Sequence, residues 1–555
     1  MNQALGALAR EYWDWMLKTN PTMATYLGDR RYDDLLPDIS AAGLAAQDHD
    51  LARFEQQVTG LTLQDEADKL TAELLRLKLR DQRAEIRHGF HEWVLDQLAG
   101  PQVWLLELLN YQPLKNDEDL ERLTRRYQAF QPYMQGWVAN LRDGVKQGRV
   151  LPAVILERVL GQLHDLLNTP PNDSPLHPRN QEGPRFSRTA LAACEKAVTE
   201  QVYPAYRSLR DFLEDDYPAR DTVGLSALPG GAEAYQYRIH AHTTTPLTAA
   251  QVHELGIGQV AALEKEMAEV ARSVAGTTDI QKFRRSLQDD SEHFYANRED
   301  LLDDYRAILT QVEAMLPRWF GRLPASRCDL KPIESFREKD CIAAFYYPPS
   351  EDFSRAGVFY VNTYEPGTRP RYHAPALTVH EAVPGHHLQI ALAMEQSDLP
   401  DFRRHGDFTA YVEGWALYTE RLANEMGVYR DALSRFGMLT FQVWRAARLV
   451  VDTGLHAMGW SREQAIQYFE DHVGLPSMEI VNEIDRYIMW PGQALAYAVG
   501  MNEFLALRRL AEDRLGSRFD IKAFHDEVLR HGALPLSVLR HLVEQYVERR
   551  RLVHS

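Results

Sequence analysis

Apolar residues recur every three or four positions over long stretches of this 555-residue chain. In the first 220 residues the pattern is plain in LTAELLRLKLRDQRAEI (70–86) and AVILERVLGQLHDLL (153–167). Such spacing gathers apolar side chains on one face of an α-helix, and that face has to be buried against other helices. The pattern predicts a mainly α fold, with an N-terminal helical lobe over residues 1–220.

Residues 221–555 are predicted to form a catalytic helical lobe with a small β-sheet, integrated with the first lobe into one body. The clusters IAAFYYP (342–348) and GVFYVN (357–362), bounded by Pro, Gly or Asn, favour strands. The alternating run AYQYRIHAH (234–242), after a Pro-Gly-Gly turn, is a further strand candidate. Ser461, with Gln464 three residues later, predicts the capped start of a helix.

The charge balance argues against nucleic acid as a partner. The sequence holds 62 Lys and Arg against 79 Asp and Glu, a formal net charge of −17, and an acidic protein repels a polyphosphate backbone. The three cysteines, Cys194, Cys328 and Cys341, lack the spacing of thiolate metal sites. Any metal is therefore expected to be held by imidazole and carboxylate groups.

No segment is expected to enter a membrane, and the protein is predicted to be cytoplasmic. Glu11 and Asp14 interrupt the first helical stretch, where a secretory leader needs an unbroken apolar run. The apolar stretch 441–458 carries Arg445, Arg448 and Asp452, and such charges are rare in a membrane span. The sequence leaves the oligomeric state open.

The stretch LTVHEAVPGHHLQI, residues 377–390, contains the residues best suited to chemistry. In zinc hydrolases with a His-Glu-x-x-His helix, the two His bind the metal and the Glu is the general base. His380 and Glu381 match the start of that motif, but Pro384 stands where the second His belongs. Because proline cannot donate to the carbonyl of His380 and clashes with it, the helix is expected to break at Pro384 and Gly385.

The shape of this break decides which later histidine joins His380. In a straight helix His387 would face the same way, but about 10.5 Å further along the axis. A bulge would instead absorb residues and let His386 swing back to the side of His380. We predict His386 as the second metal ligand, with His387 as the alternative, and Glu381 as the catalytic base.

A third ligand is needed, because catalytic zinc takes three protein side chains. The segment YVEGWALYTE (411–420) places Glu413 and Glu420 seven residues apart, on one helix face. Glu413 is the predicted ligand, and Gly414 beside it would let this helix pack closely on the helix of His380. Glu420 is predicted to orient an imidazole through its second N–H. The predicted cofactor is Zn²⁺.

The motifs TVHEAVPGHHLQ, EGWALYTE, VVDTGLH and WPGQALAY resemble those of a bacterial family of unknown function that carries an HExxPGHH motif. That family is distantly similar to the gluzincin zinc metallopeptidases, which include thimet oligopeptidase and the thermostable carboxypeptidases. The resemblance covers most of the chain. It implies a large two-lobed helical body with a deep cleft and a small β-sheet near the metal site.

Three tyrosines are further candidates for the site. In the enzyme class that the resemblance implies, a hydroxyl or N–H group stabilises the oxyanion, and Tyr487 and Tyr497 are the candidates here. GVFYVN is interpreted either as an edge strand that pairs with an extended peptide, with Tyr360 binding substrate, or as a strand packed in a hairpin.

Arg445 and Arg448 share one helix face with Asp452 and His456. One interpretation is a buried ion-pair network. The other gives one of the arginines the free carboxylate of a peptide substrate, for which a guanidinium fork is suited.

These residues together predict a zinc-dependent hydrolase in which Glu381 takes a proton from the attacking water and passes it to the leaving amine. Short peptides are the predicted substrates, which makes the protein a gluzincin-like metallopeptidase. Two alternatives stay open. One is hydrolysis of an amide or ester of a small metabolite, and the other is a non-catalytic peptide-binding protein in which Pro384 has abolished the metal site.

Overall fold

The computed structural model describes residues 1–178, 186–333, 338–340, 342–350, 353 and 355–552, so that Cys341 lies outside the described residues. Helices account for 71% of the chain and strands for 3%, which confirms the predicted mainly α fold. The chain divides into two compact units, Met1–Ala234 and Tyr235–Ser555. The lobe boundary at residue 220 and the cleft between two lobes stay predictions. In the described part of the chain, no helix has the length and apolar content that crossing a bilayer requires.

The first unit is built from helices alone in its described residues. They are α1 (Gln3–Thr19), α2 (Pro21–Leu27), α3 (Ala41–Thr59), α4 (Glu66–Arg87), α5 (Pro101–Leu108), α6 (Asp117–Gln128), α7 (Phe130–Lys146), α8 (Ala153–Asn168), α9 (Arg188–Ala197) and α10 (Tyr203–Asp215).

The two stretches with the clearest helical spacing are confirmed as α4 and α8. α4 buries Leu75 and Leu79, one turn apart, and α8 buries Ile155, Val159 and Leu163 at the same spacing. Each helix therefore offers one apolar stripe to its neighbours, as a 3.6-residue period requires.

The first unit also buries a guanidinium group whose hydrogen bonds are well satisfied. Arg126 on α6 is fully buried and donates to the carbonyls of Leu35 (2.9 Å), Pro21 (3.1 Å) and Tyr32 (2.9 Å). These bonds offset the cost of removing the charge from water. Arg126 ties α6 to the segment that contains α2.

From Gly231 onwards the helices are α11 (Gly231–Thr243), α12 (Ala249–Ala275), α13 (Ile280–Gln288), α14 (Arg298–Met315), α15 (Ala374–Glu381), α16 (His386–Met394), α17 (Asp401–Arg404), α18 (Thr409–Met426), α19 (Ala432–Ala457), α20 (Arg462–His472), α21 (Ser477–Met489), α22 (Ala496–Leu515), α23 (Ile521–Leu529) and α24 (Leu536–Leu552). Ser461 and Gln464 form the predicted capping box at the start of α20.

Glycines allow the helices of the second unit to approach closely. A Cβ on Gly256 of α12 would lie 2.7 Å from the Cβ of Leu449 on α19. A Cβ on Gly414 of α18 would lie 2.5 Å from the backbone of Gly500 on α22. Such contacts exclude any larger residue, so Gly414 serves the packing of α18 on α22. The predicted use of Gly414, against the helix of His380, was therefore wrong.

A three-stranded sheet in the order β1-β3-β2 completes the second unit. Its strands are β1 (Cys328–Pro332), β2 (Ala344–Tyr347) and β3 (Gly357–Val361). β3 pairs in parallel with β1, with Leu330 opposite Phe359, and antiparallel with β2, with Tyr346 opposite Phe359. The two aromatic clusters are confirmed as strands β2 and β3. The edge-strand interpretation of GVFYVN was wrong, because both of its backbone edges are paired.

The strand predicted after the Pro-Gly-Gly turn was also wrong, because residues 231–243 form the helix α11. Tyr235 and Ile239, four residues apart, are 2% and 0% exposed. Alternation over so short a run does not separate a strand from a helix that buries positions i and i+4.

Candidate metal centre

The predicted break in the helix of His380 is confirmed. α15 ends at Glu381 and α16 starts at His386, and the Val383–Pro384 peptide bond between them is cis. A Cβ on Gly385 would lie 2.0 Å from the carbonyl oxygen of His380. Only glycine therefore lets the chain fold back on His380 before it starts the next helix.

This fold brings the two predicted ligand histidines beside Glu413 of α18. Nε2 of His380 lies 3.6 Å from Oε2 of Glu413, and Nε2 of His386 lies 3.4 Å from the same oxygen. The two imidazole centroids are 4.9 Å apart. A tetrahedral zinc ion with ligands at 2.0–2.1 Å places its donor atoms about 3.4 Å apart. The Glu413 oxygen therefore lies from both imidazole nitrogens at about the spacing of two zinc ligands.

The surroundings of these atoms suit a cation. Oε2 of Glu413 is buried and accepts no hydrogen bond from the described residues. Burial alone would lower the pKa of His380, but the nearby carboxylates of Glu413 and Glu420 raise that pKa to about 9. Burial alone would raise the pKa of Glu413, but the charges of the His386 and His380 imidazoles beside it hold that pKa well below its usual range. Two imidazoles and a carboxylate fit Zn²⁺, whereas Mg²⁺ and Ca²⁺ prefer oxygen ligands alone.

Glu420 occupies the position predicted for it, behind His380. Its Oε1 lies 2.8 Å from Nδ1 of His380, and its Oε2 accepts from Nε2 of Gln442 on α19 at 3.0 Å. Glu420 is 1% exposed. In the neutral ring that a metal ligand requires, a carboxylate bonded to Nδ1–H leaves the lone pair of His380 on Nε2, directed at Glu413 and His386.

His387 is not brought to this cluster. Its Nδ1 lies 2.9 Å from the hydroxyl of Tyr346 on β2, and its Nε2 lies 3.0 Å from the carbonyl of Ser326. Burial lowers its pKa to about 4, so the ring stays neutral and donates through one nitrogen only. Both nitrogens of His387 contact groups outside the cluster, so the structure gives no support to the alternative assignment of His387 as a ligand, which stays a prediction.

Glu381 lies next to the ligand atoms. An oxygen of Glu381 lies within 4.8 Å of ligand nitrogens of both His380 and His386. Burial raises the pKa of Glu381, although the charges of His380 and His386 oppose the shift. A carboxylate with a raised pKa holds an abstracted proton better than an ordinary glutamate does.

The two candidate tyrosines differ in what their hydroxyls contact. The Tyr487 hydroxyl accepts from Nε of Arg448 at 2.7 Å and from Nε1 of Trp444 at 3.2 Å, and it donates to Glu483 at 2.5 Å. These three bonds use its full capacity. Tyr497 is partly exposed, and the charge of Glu413 acts on its phenol. The Tyr487 hydroxyl therefore has no bond left for an oxyanion, and the role of Tyr497 stays a prediction.

The polar residues that were predicted to share one face of α19 do not pair with one another. They are Arg445, Arg448, Asp452 and His456. Arg448 pairs with Glu483 of α21 at 3.1 Å. Asp452 accepts from the Tyr235 hydroxyl at 2.6 Å, and His456 contacts the Tyr487 carbonyl at 2.8 Å. Arg445 makes no hydrogen bond or ion pair with the described residues. The predicted ion-pair network among these four residues was therefore wrong, and Arg448 pairs instead with a residue of another helix.

Tyr360 lies on the central strand β3, where its ring stacks on Phe345 of β2 with centroids 5.0 Å apart. Tyr360 was predicted to bind substrate because β3 was interpreted as an open edge strand. Since both edges of β3 are paired, that reason no longer applies, and the role of Tyr360 stays a prediction.

Two residues of the site's surroundings were missed from the sequence. Gln442 holds Glu420 from α19, and Glu483 holds both Arg448 and Tyr487 from α21. No spacing rule connects either residue with the HExxPGHH motif. The Gln442–Glu420 and Glu483–Arg448 contacts arise from the packing of separate helices, whereas Glu483 and Tyr487 lie four residues apart on α21.

These features define a mainly helical protein with a buried pair of histidines and a carboxylate suited to a metal ion. The chain belongs to the family described as "Bacterial protein of unknown function (DUF885)", whose model matches residues 21–543. No curated protein matches it significantly.

Two solved structures have similar folds. The "putative lipoprotein from Colwellia psychrerythraea" has a TM-score of 0.91 and 28% sequence identity, over 99% of each chain. The "putative lipoprotein of unknown function from Shewanella oneidensis" has a TM-score of 0.76 and 18% identity, over 98% of this chain and 100% of that one. At this identity the second structure shows likeness of fold alone.

Proposed function

We propose that the protein is a zinc-dependent hydrolase, and specifically a gluzincin-like metallopeptidase that cleaves short peptides. The observation that carries this proposal is the convergence of Nε2 of His380, Nε2 of His386 and Oε2 of Glu413, at 3.4 and 3.6 Å. Three protein donors with a fourth position left for water or substrate are typical of catalytic zinc, whereas structural zinc takes four protein ligands.

When bound, Zn²⁺ would acidify a water molecule and polarise a substrate carbonyl. The side chains then have separate tasks. Glu420 holds His380 in the tautomer that presents Nε2. Glu381 takes the proton of the attacking water and delivers it to the leaving amine.

Tyr497 is the proposed donor to the oxyanion. Its phenol stays protonated because burial raises its pKa, so its O–H can donate to an oxygen that gains negative charge. Removing one such donor typically costs about 10²–10³-fold in kcat.

Peptides are proposed rather than other amides because of the gluzincin resemblance and because the site pairs a general base with a buried guanidinium. The resemblance rests on the HE pair, the following His and the downstream Glu on another helix.

The proposal is tested in three steps with purified protein. Mass spectrometry of the metal content should give one zinc per chain after mild purification, and absence of zinc would overturn the hydrolase. A mass-spectrometric screen of mixed short peptides should show cleavage, and uncleaved peptides with turnover of small amides or esters would favour the metabolite hydrolase. Glu381→Gln should keep zinc and the thermal midpoint but lose about 10²–10⁴-fold in kcat.

Location is tested separately. We propose a cytoplasmic location from the N-terminal sequence, and the alternative is a lipid-modified chain, as the word lipoprotein in the name of the Colwellia psychrerythraea structure suggests. Fractionation of cells that express the full-length gene, with detection of lipid-modified chains, would decide between them.

A further inference from the structure

We propose that Arg445, assisted by Nη1 of Arg448, binds a carboxylate of the substrate, so that this protein acts on peptides with an anionic group near the scissile bond. This inference rests on the proposed peptidase function and adds the substrate class to it. Both arginines lie on α19. Arg448 pairs with Glu483 of α21, and Arg445 is close enough to Glu413 of the metal centre for the two charges to interact.

The first observation is a buried guanidinium whose N–H groups lack hydrogen-bond acceptors among the described residues. Arg445 is 7% exposed, and its Nε and Nη1 are buried with no hydrogen-bond acceptor among the described residues. Nη1 of Arg448, one turn further along α19, is also buried and unpaired. Three N–H-bearing nitrogens of two adjacent cations are thus left without acceptors.

The energetic cost of this arrangement favours a bound anion. Arg126, in the other unit, is also buried, but three backbone carbonyls accept its hydrogen bonds. A buried polar group left without a partner costs about 1–3 kcal/mol, and more when it is charged. Two guanidinium groups at i and i+3 also repel each other. An anion that accepts from both would remove both penalties.

The two guanidinium groups are held in place. The Arg445 guanidinium lies 5.0 Å from the Phe441 ring centroid and 4.6 Å from that of Trp444, and the Arg448 guanidinium lies 4.6 Å from the same Trp444 ring. The aromatic faces stabilise the cations without using their N–H groups. The donors are therefore positioned in advance for a planar acceptor.

The position of this pair relative to the metal centre fits a substrate anchor. The charge of Arg445 acts on the carboxylates of Glu420 and Glu413 and on the Tyr497 phenol, without a hydrogen bond to any of them. The charge of Arg445 also acts on Glu381. The Arg448 guanidinium also lies 4.6 Å from the centroid of the Tyr497 ring, so a carboxylate bound by this pair would lie near the proposed oxyanion donor.

A guanidinium fork matches a carboxylate with two parallel hydrogen bonds. Two sources of that carboxylate are compatible with a peptide. One is the C-terminal α-carboxylate, which would make the protein a carboxypeptidase or a dipeptidase. The other is the side chain of an Asp or Glu near the cleaved bond.

The experiment measures binding without turnover, in zinc-loaded Glu381→Gln. The probes are the alanine tripeptide as a free acid, the same peptide as a C-terminal amide, and an Ala-Glu-Ala amide, each titrated by calorimetry. We expect the free acid to bind about 10- to 100-fold more tightly than the alanine amide. If only the glutamate peptide gains this advantage, the carboxylate comes from a side chain. Equal binding of all three peptides would overturn the proposal.

Variants then locate the effect. Arg445→Gln, in the same background, should reduce the preference for the carboxylate to less than about threefold, and methylguanidinium added to Arg445→Ala should restore part of it. Arg435→Gln is the matched control, because Arg435 lies on the same helix with its side chain 42% exposed. An unchanged preference in folded Arg445→Gln would refute the role of Arg445. If that variant does not fold, the comparison of acid and amide in the parent protein decides alone.

The same data distinguish failure of this inference from failure of the proposed function. Absence of peptide cleavage by the zinc-loaded wild-type protein would refute the peptidase, whereas the calorimetric preference for a carboxylate does not depend on cleavage.

Discussion

Replacing Glu420 by Gln tests whether the buried carboxylate behind His380 tunes a metal ligand. Glu420 accepts from Nδ1 of His380 at 2.8 Å and from Nε2 of Gln442 at 3.0 Å. Gln has nearly the same size, and its amide oxygen can still accept from His380. Its NH₂ group then faces the NH₂ of Gln442. The substitution removes one negative charge and opposes two donors, but it creates no cavity.

The expected loss is large for a residue that does not touch the metal. Removing a carboxylate that orients a ligand imidazole typically costs 10–100-fold in metal affinity, which is about 1.4–2.7 kcal/mol. Glu420 is 1% exposed, and a buried charge is screened little by water or salt. We therefore expect a loss of about 30- to 100-fold for Glu420→Gln.

The assay is a competition titration of zinc between the metal-free protein and a chromophoric chelator, with circular dichroism to verify the fold. Glu425→Gln is the control, because Glu425 lies on the same helix with its side chain 45% exposed and paired with Arg508. It should bind zinc as the wild type does. A zinc affinity of folded Glu420→Gln within twofold of the wild type would refute the argument.

Three further results are expected. His387→Ala should keep one zinc per chain while losing about 1–3 kcal/mol in urea unfolding, because two buried hydrogen bonds are lost; loss of zinc from the folded variant would restore His387 as a ligand. Gly385→Ala should lower the free energy of unfolding by about 1–3 kcal/mol and weaken zinc binding, since the new Cβ would lie 2.0 Å from the His380 carbonyl oxygen. A variant with the stability and zinc affinity of the wild type would contradict this close approach. Burial lowers the pKa of His525 from 6.5 to about 3, so the stability contributed by the neutral ring is complete above pH 6.5 and declines towards pH 3, by about 1.4 kcal/mol per pH unit. His525→Asn should therefore flatten the pH dependence of the unfolding free energy between about pH 6 and pH 4.5, and an unchanged slope would contradict this.

Much of the fold follows from local patterns. Helical spacing located α4 and α8, and α12 occupies the stretch Ala249–Ala275 that has the same pattern. Aromatic clusters located β2 and β3. The parallel partner β1 was missed, because its sequence CDLKP carries no strand signal and its pairing with β3 spans about 30 residues of chain. The run that forms α11 was mistaken for a strand because alternation over so few residues does not separate the two structures.

The sequence by itself predicted the candidate ligand atoms and determined the break between them. Imidazole and carboxylate were the available donors, and Pro384 with Gly385 had to interrupt the helix after His380. These are properties of neighbouring residues, so they can be derived without the fold.

Only the tertiary structure decided how the side chains are used. The chain folds back at Gly385 onto the His380 carbonyl, which places the His386 side chain beside Glu413. The two nitrogens of His387 contact the Tyr346 hydroxyl and the Ser326 carbonyl. Glu483 and Arg448, from two different helices, occupy the Tyr487 hydroxyl, and no acceptor among the described residues reaches Arg445. Apart from the Glu483–Tyr487 bond, which is local to α21, these hydrogen-bond partners are distant in sequence, and only the packing of the helices and the sheet brings them together.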